Sequence, residues 1–173
     1  MSIPKPSISI RLAGSSDIEE IVRVTNLAYA VEHFCLSGDR TDSSDIGCLM
    51  EKGRFLVVPH AEIPSIIIAS VYMSFSNVRG YLGILSVDPK YQGHGIAKAL
   101  VSAVEDNCRR EGCEFLDINV VNLRNELFPY YSKLGFAPSA ELPFPRPGKA
   151  LQPLHLVQMT KALYLVQDLP SPS

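Results

Sequence analysis

The sequence predicts a mixed α+β fold: a mostly antiparallel central sheet with helices on both faces. Three observations carry this expectation. First, strand and helix periodicities alternate along the chain: Ile8, Ile10 and Leu12 recur at period two, and Ile18, Ile21, Val22, Thr25, Ala28 and Tyr29 follow at helical spacing. Second, the strand-length apolar stretches RFLVVPH, SIIIASVYMSFS and RGYLGILSVDP follow one another with short turns between them, as antiparallel hairpins do. Third, the last of these runs into a glycine turn, a long amphipathic helix and a further strand, a unit whose length and handedness require a parallel crossover.

The elements follow in order. After the first strand, Ser15, Ser16 and Asp17 offer capping side chains for a helix over about residues 17–32, with Glu19 and Glu20 in its first turn. Residues 38–42 read as a loop, and Ser44 can cap a short helix that ends at Gly53. Three strands come next, the third stopped at Pro89. Ile96, Ala99, Leu100, Ala103, Val104 and Cys108 then form an amphipathic helix stripe, closed by Gly112. EFLDINVV is a strand with Leu116, Ile118 and Val120 on one face and Asp117 and Asn119 on the other. LRNELFPYYSKLGF is a short helix ending at Gly135, in which Pro129 is tolerated if it sits in the first turn or kinks the helix. One more short strand near residues 136–141, an irregular proline-rich loop and the strand LHLVQMTKAL complete the order. The expected organisation is an N-terminal extension (1–7), one domain (8–163) and a flexible C-terminal tail (164–173).

Composition narrows the function. The chain has 173 residues, 46% of them apolar, and a formal net charge of −2. Its longest basic run is Arg109-Arg110, so the footprint of a nucleic-acid partner is missing. No apolar run approaches the ~20 residues that span a bilayer, and the N-terminus lacks the apolar core of a secretory signal. Cys35, Cys48, Cys108 and Cys113 form no C-x-x-C pair, so reduced thiols in a cytoplasmic protein without a metal are expected, with Cys108 a small buried hydrophobe.

The chemistry concentrates at Gln92-Gly93-His94-Gly95-Ile96-Ala97. A helix N-terminus presents unpaired N–H groups and a partial positive charge, and glycines let an anion approach them. A tight structural turn explains the same two glycines equally well. The nucleotide patterns do not fit. There is no G-x-x-x-x-G-K-[ST] string, and G-x-G-x-x-G fails at Lys98, with no acidic residue ending the next strand at Val120-Val121-Asn122.

Gln92-Gly93-His94-Gly95-Ile96-Ala97 resembles the Q/R-x-x-G-x-G/A signature of the GCN5-related N-acetyltransferase (GNAT) superfamily. Tyr131-Ser132-Lys133-Leu134-Gly135-Phe136 is similar to that family's Y-x-x-x-G-F ending, in the family's order. The resemblance covers roughly residues 8–163 and implies the acyl-CoA N-acyltransferase fold with a splayed sheet. It implies that the amides of Gly93, His94, Gly95, Ile96, Ala97 and Lys98, together with Gln92, bind the pyrophosphate of acetyl-CoA. His94 and Lys98 would add positive charge there or simply face solvent. It implies that pantetheine pairs with the strand before the loop through Leu85, Ser86 and Val87, with the Leu85 N–H aimed at the thioester oxygen. Asn122 would hold the cofactor, cap a helix, or do both. Tyr131 would protonate the departing thiolate.

The base is where this chain departs from the resemblance. Histone-type members carry a glutamate eleven residues before the motif's glutamine, and Tyr81 stands there. A water relay ending on Tyr81, or a base from elsewhere, His155 or His33, is left, and each lone histidine, like Asp117 and Asn119, is also read as an ordinary structural or surface residue. Glu32, Arg40 and Arg124, with Asp39, Asp42 and Asp45 near them, fit an amino-acid-like acceptor: carboxylates for an ammonium, a guanidinium for a carboxylate. The expected function is transfer of the acetyl group of acetyl-CoA to a small-molecule primary amine by direct attack in a ternary complex, with no acyl-enzyme cysteine. A homodimer is left open. The alternatives are a protein or peptide N-acetyltransferase and a non-catalytic CoA-binding module.

Overall fold

The computed structural model describes residues 8–164, so the 1–7 extension and the tail from residue 165 lie outside the described residues. The first strand is shorter than its alternation suggests. Only β1 (Arg11–Leu12) is strand, because only Arg11 and Leu12 find partners, Val57 and Leu56. Ser15 and Ser16 do not cap the first helix. They lie in a 3-10 turn (Ser15–Asp17), where the Asp17 carboxylate accepts from the Gly14 N–H (2.8 Å) and from both terminal nitrogens of Arg11 (2.8 and 2.9 Å). Helix α1 runs Ile18–Tyr29 with Ile21, Val24 and Thr25 buried, and Ala30–Glu32 tighten into a 3-10 turn instead of continuing it. Helix α2 (Ser43–Lys52) is capped two residues earlier than Ser44 would allow: Asp42 Oδ1 accepts the Asp45 N–H at 2.8 Å. Gly53 ends it as expected.

The hairpin strands are β2 (Arg54–Pro59), β3 (Ile67–Ser76) and β4 (Arg79–Val87). Helix α3 (Ile96–Arg110) follows, and Gly112 leaves it at φ +80°, the left-handed conformation a helix C-terminus favours. Strand β5 (Phe115–Val121), α4 (Leu127–Lys133), β6 (Ala137–Pro143) and β7 (His155–Ala162) complete the chain. Pro129 is the third residue of α4, where its missing N–H costs nothing. The seven strands are ordered β1-β2-β3-β4-β5-β7-β6. β1/β2, β2/β3, β5/β7 and β6/β7 are antiparallel, and β4/β5 is the parallel crossover pair.

Contacts divide the described residues into a first unit (8–31, 39–73 and 84–103) and a second (32–38, 74–83 and 104–164). The first unit buries Ile21, Ile46, Phe55, Ile67 and Leu100, and the second buries Leu116, Ile118 and Met159. Within the first, the Ser70 hydroxyl is fully buried with no hydrogen-bond partner among the described residues. A buried, unpaired hydroxyl costs ~1–3 kcal/mol. Ser70→Ala should therefore leave stability unchanged or raise it by about 1 kcal/mol, read as an equal or higher Tm; a loss of that size would reveal a partner for the hydroxyl.

All four cysteines are free thiols: Cys35, Cys108 and Cys113 are buried, and Cys48 on α2 is exposed. Burial, and then the neighbouring Cys113, push the Cys108 thiol up to about 12. An alanine at Gly80 would place its methyl against the Cys108 sulfur, so this strand-to-helix approach requires glycine.

Candidate active site

The turn before α3 is built from the Asp88 carboxylate, which accepts the Lys90 N–H at 3.0 Å with Arg23 3.8 Å away. Pro89–Tyr91 then form a 3-10 turn whose Tyr91 N–H returns to the Asp88 carbonyl at 2.8 Å. Gly93 and Gly95 sit at φ +81° and +79°, and a Cβ on either would meet only open space within 4 Å. The turn therefore demands glycine for its backbone conformation, and the space in front of both glycines is free for a ligand. The Ala99 N–H donates to the Gly95 carbonyl at 3.0 Å as the first α3 bond, so the amides of Ile96, Ala97 and Lys98 precede the ladder and carry the positive end of the helix dipole. Buried Ile96 anchors this end; His94 and Lys98 are exposed.

β4 outruns its pairing with β5. Pairing runs from Arg79↔Phe115 to Leu82↔Ile118, and β4 then continues to Val87. Ile84 breaks the pleat at φ +48°, a conformation rare for a β-branched residue. Beyond it Leu85 is half-buried, while Ser86 and Val87 are buried. The Ser86 hydroxyl lies 3.1 Å from the Ile84 carbonyl oxygen and 3.4 Å from the Thr25 hydroxyl. In the same strand the Tyr81 ring lies across Gly83, where a Cβ would come within 2.7 Å of it.

In the second unit Tyr131 is buried on α4, edge-on to Tyr130 at 5.2 Å and to Phe136 at 5.8 Å. The helix closes as a Schellman motif: Phe136 N–H donates to the Tyr131 carbonyl (3.1 Å), Gly135 N–H donates to the Ser132 carbonyl (3.1 Å), and Gly135 adopts φ +98°. The Tyr131–Phe136 ring contact is the hydrophobic clasp of that motif, so Y-x-x-x-G-F fixes the tyrosine ring in place. Burial pushes the neighbouring Tyr130 hydroxyl up.

Asn122 caps no helix, since α4 begins at Leu127 with Glu126 in the N-cap position. Its Oδ1 accepts the His155 N–H at 2.9 Å and its own N–H donates to the His155 carbonyl at 3.0 Å, which clamps the end of β5 to the start of β7. The His155 ring is 40% exposed, with Nε2 3.8 Å from Glu141. Glu32 and Arg124, expected to face an acceptor, meet each other at 2.9 Å with 6% and 13% of their side chains accessible. Arg124 also takes Glu126 at 2.6 Å; burial opposes its charge, but Glu126 and Glu32 outweigh burial and hold the guanidinium above its ordinary value. Burial, then the Glu32 carboxylate, push the Cys35 thiol up, which disfavours it as a nucleophile. Asp117 is committed to Arg79 (2.7 and 2.8 Å) and Thr160 (2.6 Å). Burial would raise its carboxyl, but these partners prevail and hold it below the carboxylate range, so it is a poor base. His33 is exposed, and in the first unit Arg40 stacks over Tyr29 at 5.2 Å.

Sequence reasoning missed three features of the site. One is the inverted backbone at Ile84. Another is the direct pairing of Glu32 with Arg124, which leaves no local pattern across 92 positions. The third is a strap in the second unit that ties the proline-rich loop to residues 34–37. There Ser37 N–H donates to the Lys149 carbonyl and Leu151 N–H to the Cys35 carbonyl, both at 2.9 Å, and Leu36 bridges Ala150. Cys35, Leu36 and Val121 form its buried floor, with Phe144, Leu154 and Leu156 packed against them.

The sequence matches the profile described as the acetyltransferase (GNAT) family over residues 22–136. It is 30% identical over 96 residues to N-alpha-acetyltransferase 30 of Saccharomyces cerevisiae, a match covering 56% of this chain and 45% of the yeast protein. The chain spans about half the length of the curated relatives it matches. The fold is similar to the ribosomal-protein-S18-alanine N-acetyltransferase from Escherichia coli: TM-score 0.74 at 15% identity, covering 92% of this chain and 96% of that one. It is also similar to yncA from Salmonella typhimurium, solved with its cofactor acetyl-CoA: TM-score 0.69 at 21% identity, covering 96% and 98%. With a family profile matched over well more than half its length, an inverted residue in an overrunning β4 and a glycine turn opening α3, the chain belongs to the acetyltransferase (GNAT) family.

Proposed function

We propose that the protein is an acetyl-CoA-dependent N-acetyltransferase that acts on a small-molecule primary amine. The observation that carries the acetyl-CoA reading is the continuous run from Ile84 to Lys98: a strand that outlasts its pairing, an inverted residue, then two left-handed glycines before unpaired helix amides. In this reading the amides of residues 93–98, with Gln92 beside them, take the diphosphate. The backbone of Leu85, Ser86 and Val87 pairs with pantetheine as an added strand. The thioester supplies an activated acetyl group. The amine nitrogen bonds to its carbonyl carbon, the C–S bond breaks, and Leu85 N–H stabilises charge building on the carbonyl oxygen. Buried Tyr131 delivers a proton to the leaving sulfur. Tyr81, through water, or half-exposed His155 takes the proton the amine loses.

The strap supports a small acceptor. An extended peptide needs an open groove, whereas residues 34–37 and 149–151 are hydrogen-bonded to one another. Glu32 and Arg124 neutralise each other as a pair, which leaves Arg40 as the arginine to meet an acceptor carboxylate. The match to a yeast protein named N-alpha-acetyltransferase 30 favours a second reading, acetylation of protein N-termini. A panel of amines, amino acids and N-terminal peptides, with released CoA thiol as readout, separates them. Turnover on small amines and none on peptides is expected. Turnover on peptides alone would replace the first reading with the second, and tight acetyl-CoA binding without turnover on any amine would leave a binding module.

A further inference from the structure

A hydroxyl inside the first unit is poised on the one peptide group that matters most to the reaction. The carbonyl of Ile84 and the N–H of Leu85 belong to the same planar peptide. The Ser86 hydroxyl reaches back to that carbonyl at 3.1 Å while its own residue is 1% exposed. Ser86 has a single proton to give. The Ser86 oxygen also lies 3.4 Å from the Thr25 hydroxyl on α1, and Thr25 is itself fully buried. The peptide needs this restraint, because Ile84 is held at φ +48°, where a β-branched residue does not rest unaided.

We propose that Ser86 is a positioning residue: its hydroxyl, backed by Thr25, sets the plane of the peptide joining Ile84 and Leu85, and so aims the Leu85 N–H at the thioester oxygen. This deepens the acetyl-CoA reading and rests on it. Two effects act together. Orientation keeps the N–H on its target before charge develops, which is when a fixed donor helps most. A hydrogen bond accepted by a peptide carbonyl also polarises the group and makes its N–H a stronger donor. A hydroxyl that only satisfied its own burial would do neither.

The test uses acetyl-CoA carrying 13C at the thioester carbonyl, bound to the full chain and followed by isotope-edited infrared spectroscopy. In the unaltered protein the carbonyl band should fall below its position in free acetyl-CoA. In Ser86→Ala most of that displacement should vanish, kcat should drop about tenfold, and the dissociation constant for acetyl-CoA should change less than threefold. Ser86→Thr, which keeps the hydroxyl, should restore both band and kcat, and Thr25→Val should fall between. If the alanine variant does not fold, Ser86→Cys, with its weaker donor, reads the same band. An unmoved band and kcat in the folded alanine or cysteine variant overturn the proposal. So does a loss in acetyl-CoA affinity equal to the loss in kcat, which marks a structural role. An unaltered protein that binds no acetyl-CoA overturns the functional reading and this proposal with it, whereas binding without a displaced band overturns this proposal alone.

Discussion

Tyr131→Phe should lower kcat about a hundredfold, toward the lower end of what a positioned general acid contributes, while acetyl-CoA affinity stays within twofold. The substitution removes one oxygen and leaves the ring. The edge-on contacts with Tyr130 and Phe136 remain, as do the backbone bonds that close α4. The effect should be confined to the step in which the C–S bond breaks. It should therefore shrink with an acyl donor whose leaving thiol is more acidic, since such a thiolate departs without a proton. Tyr130→Phe is the matched control, expected to have a far smaller effect. Steady-state kinetics with calorimetry of acetyl-CoA binding decides the matter: equal kcat for Tyr131→Phe and the unaltered protein removes the acid from this position.

Arg124→Met should cost about 3–5 kcal/mol of stability, because it removes the guanidinium that faces the buried Glu32 carboxylate at 2.9 Å. Methionine fills much of the space of the arginine stem, so the loss reports the lost charge pairing more than a cavity. For a chain of this size the change corresponds to a fall in Tm of about 10 °C. Glu32→Gln combined with Arg124→Met should recover a large part of the loss, since the double variant buries no net charge. Chemical denaturation of the two single variants and the double variant measures the coupling directly. Additive losses would mean that the pair is already solvated and that Glu32 and Arg124 are free to contact an acceptor.

The parts of this site that are legible in sequence are those made of neighbours along the chain. Gly93 and Gly95 are legible because a left-handed backbone admits little else, and the closing motif of α4 is legible because Tyr131, Gly135 and Phe136 fall within one helical turn and its cap. The same proximity makes the amphipathic stripe of α3 readable. Asp42 shows the limit of local rules: it caps α2 where Ser44 also satisfied them, and the choice belongs to the loop, where the Asn26 carboxamide holds both the N–H and the carbonyl of Thr41. Ile84 was illegible for a different reason. Nothing about isoleucine announces positive φ, and the surroundings impose it. The pairing of Glu32 with Arg124 and the stitching of residues 34–37 to 149–151 join distant stretches of chain, so each side chain could be judged only on its charge.

The distribution of thiols bears directly on how activity is to be measured. Cys35, Cys108 and Cys113 are sealed in the interior, but Cys48 stands on the open side of α2. A chromogenic disulfide reagent used to count liberated CoA would also titrate this cysteine, giving a fast burst of one equivalent per chain that mimics a first turnover. Cys48→Ser abolishes that artefact, and the unaltered residue, the single accessible sulfhydryl, is a ready attachment point for a fluorophore on α2.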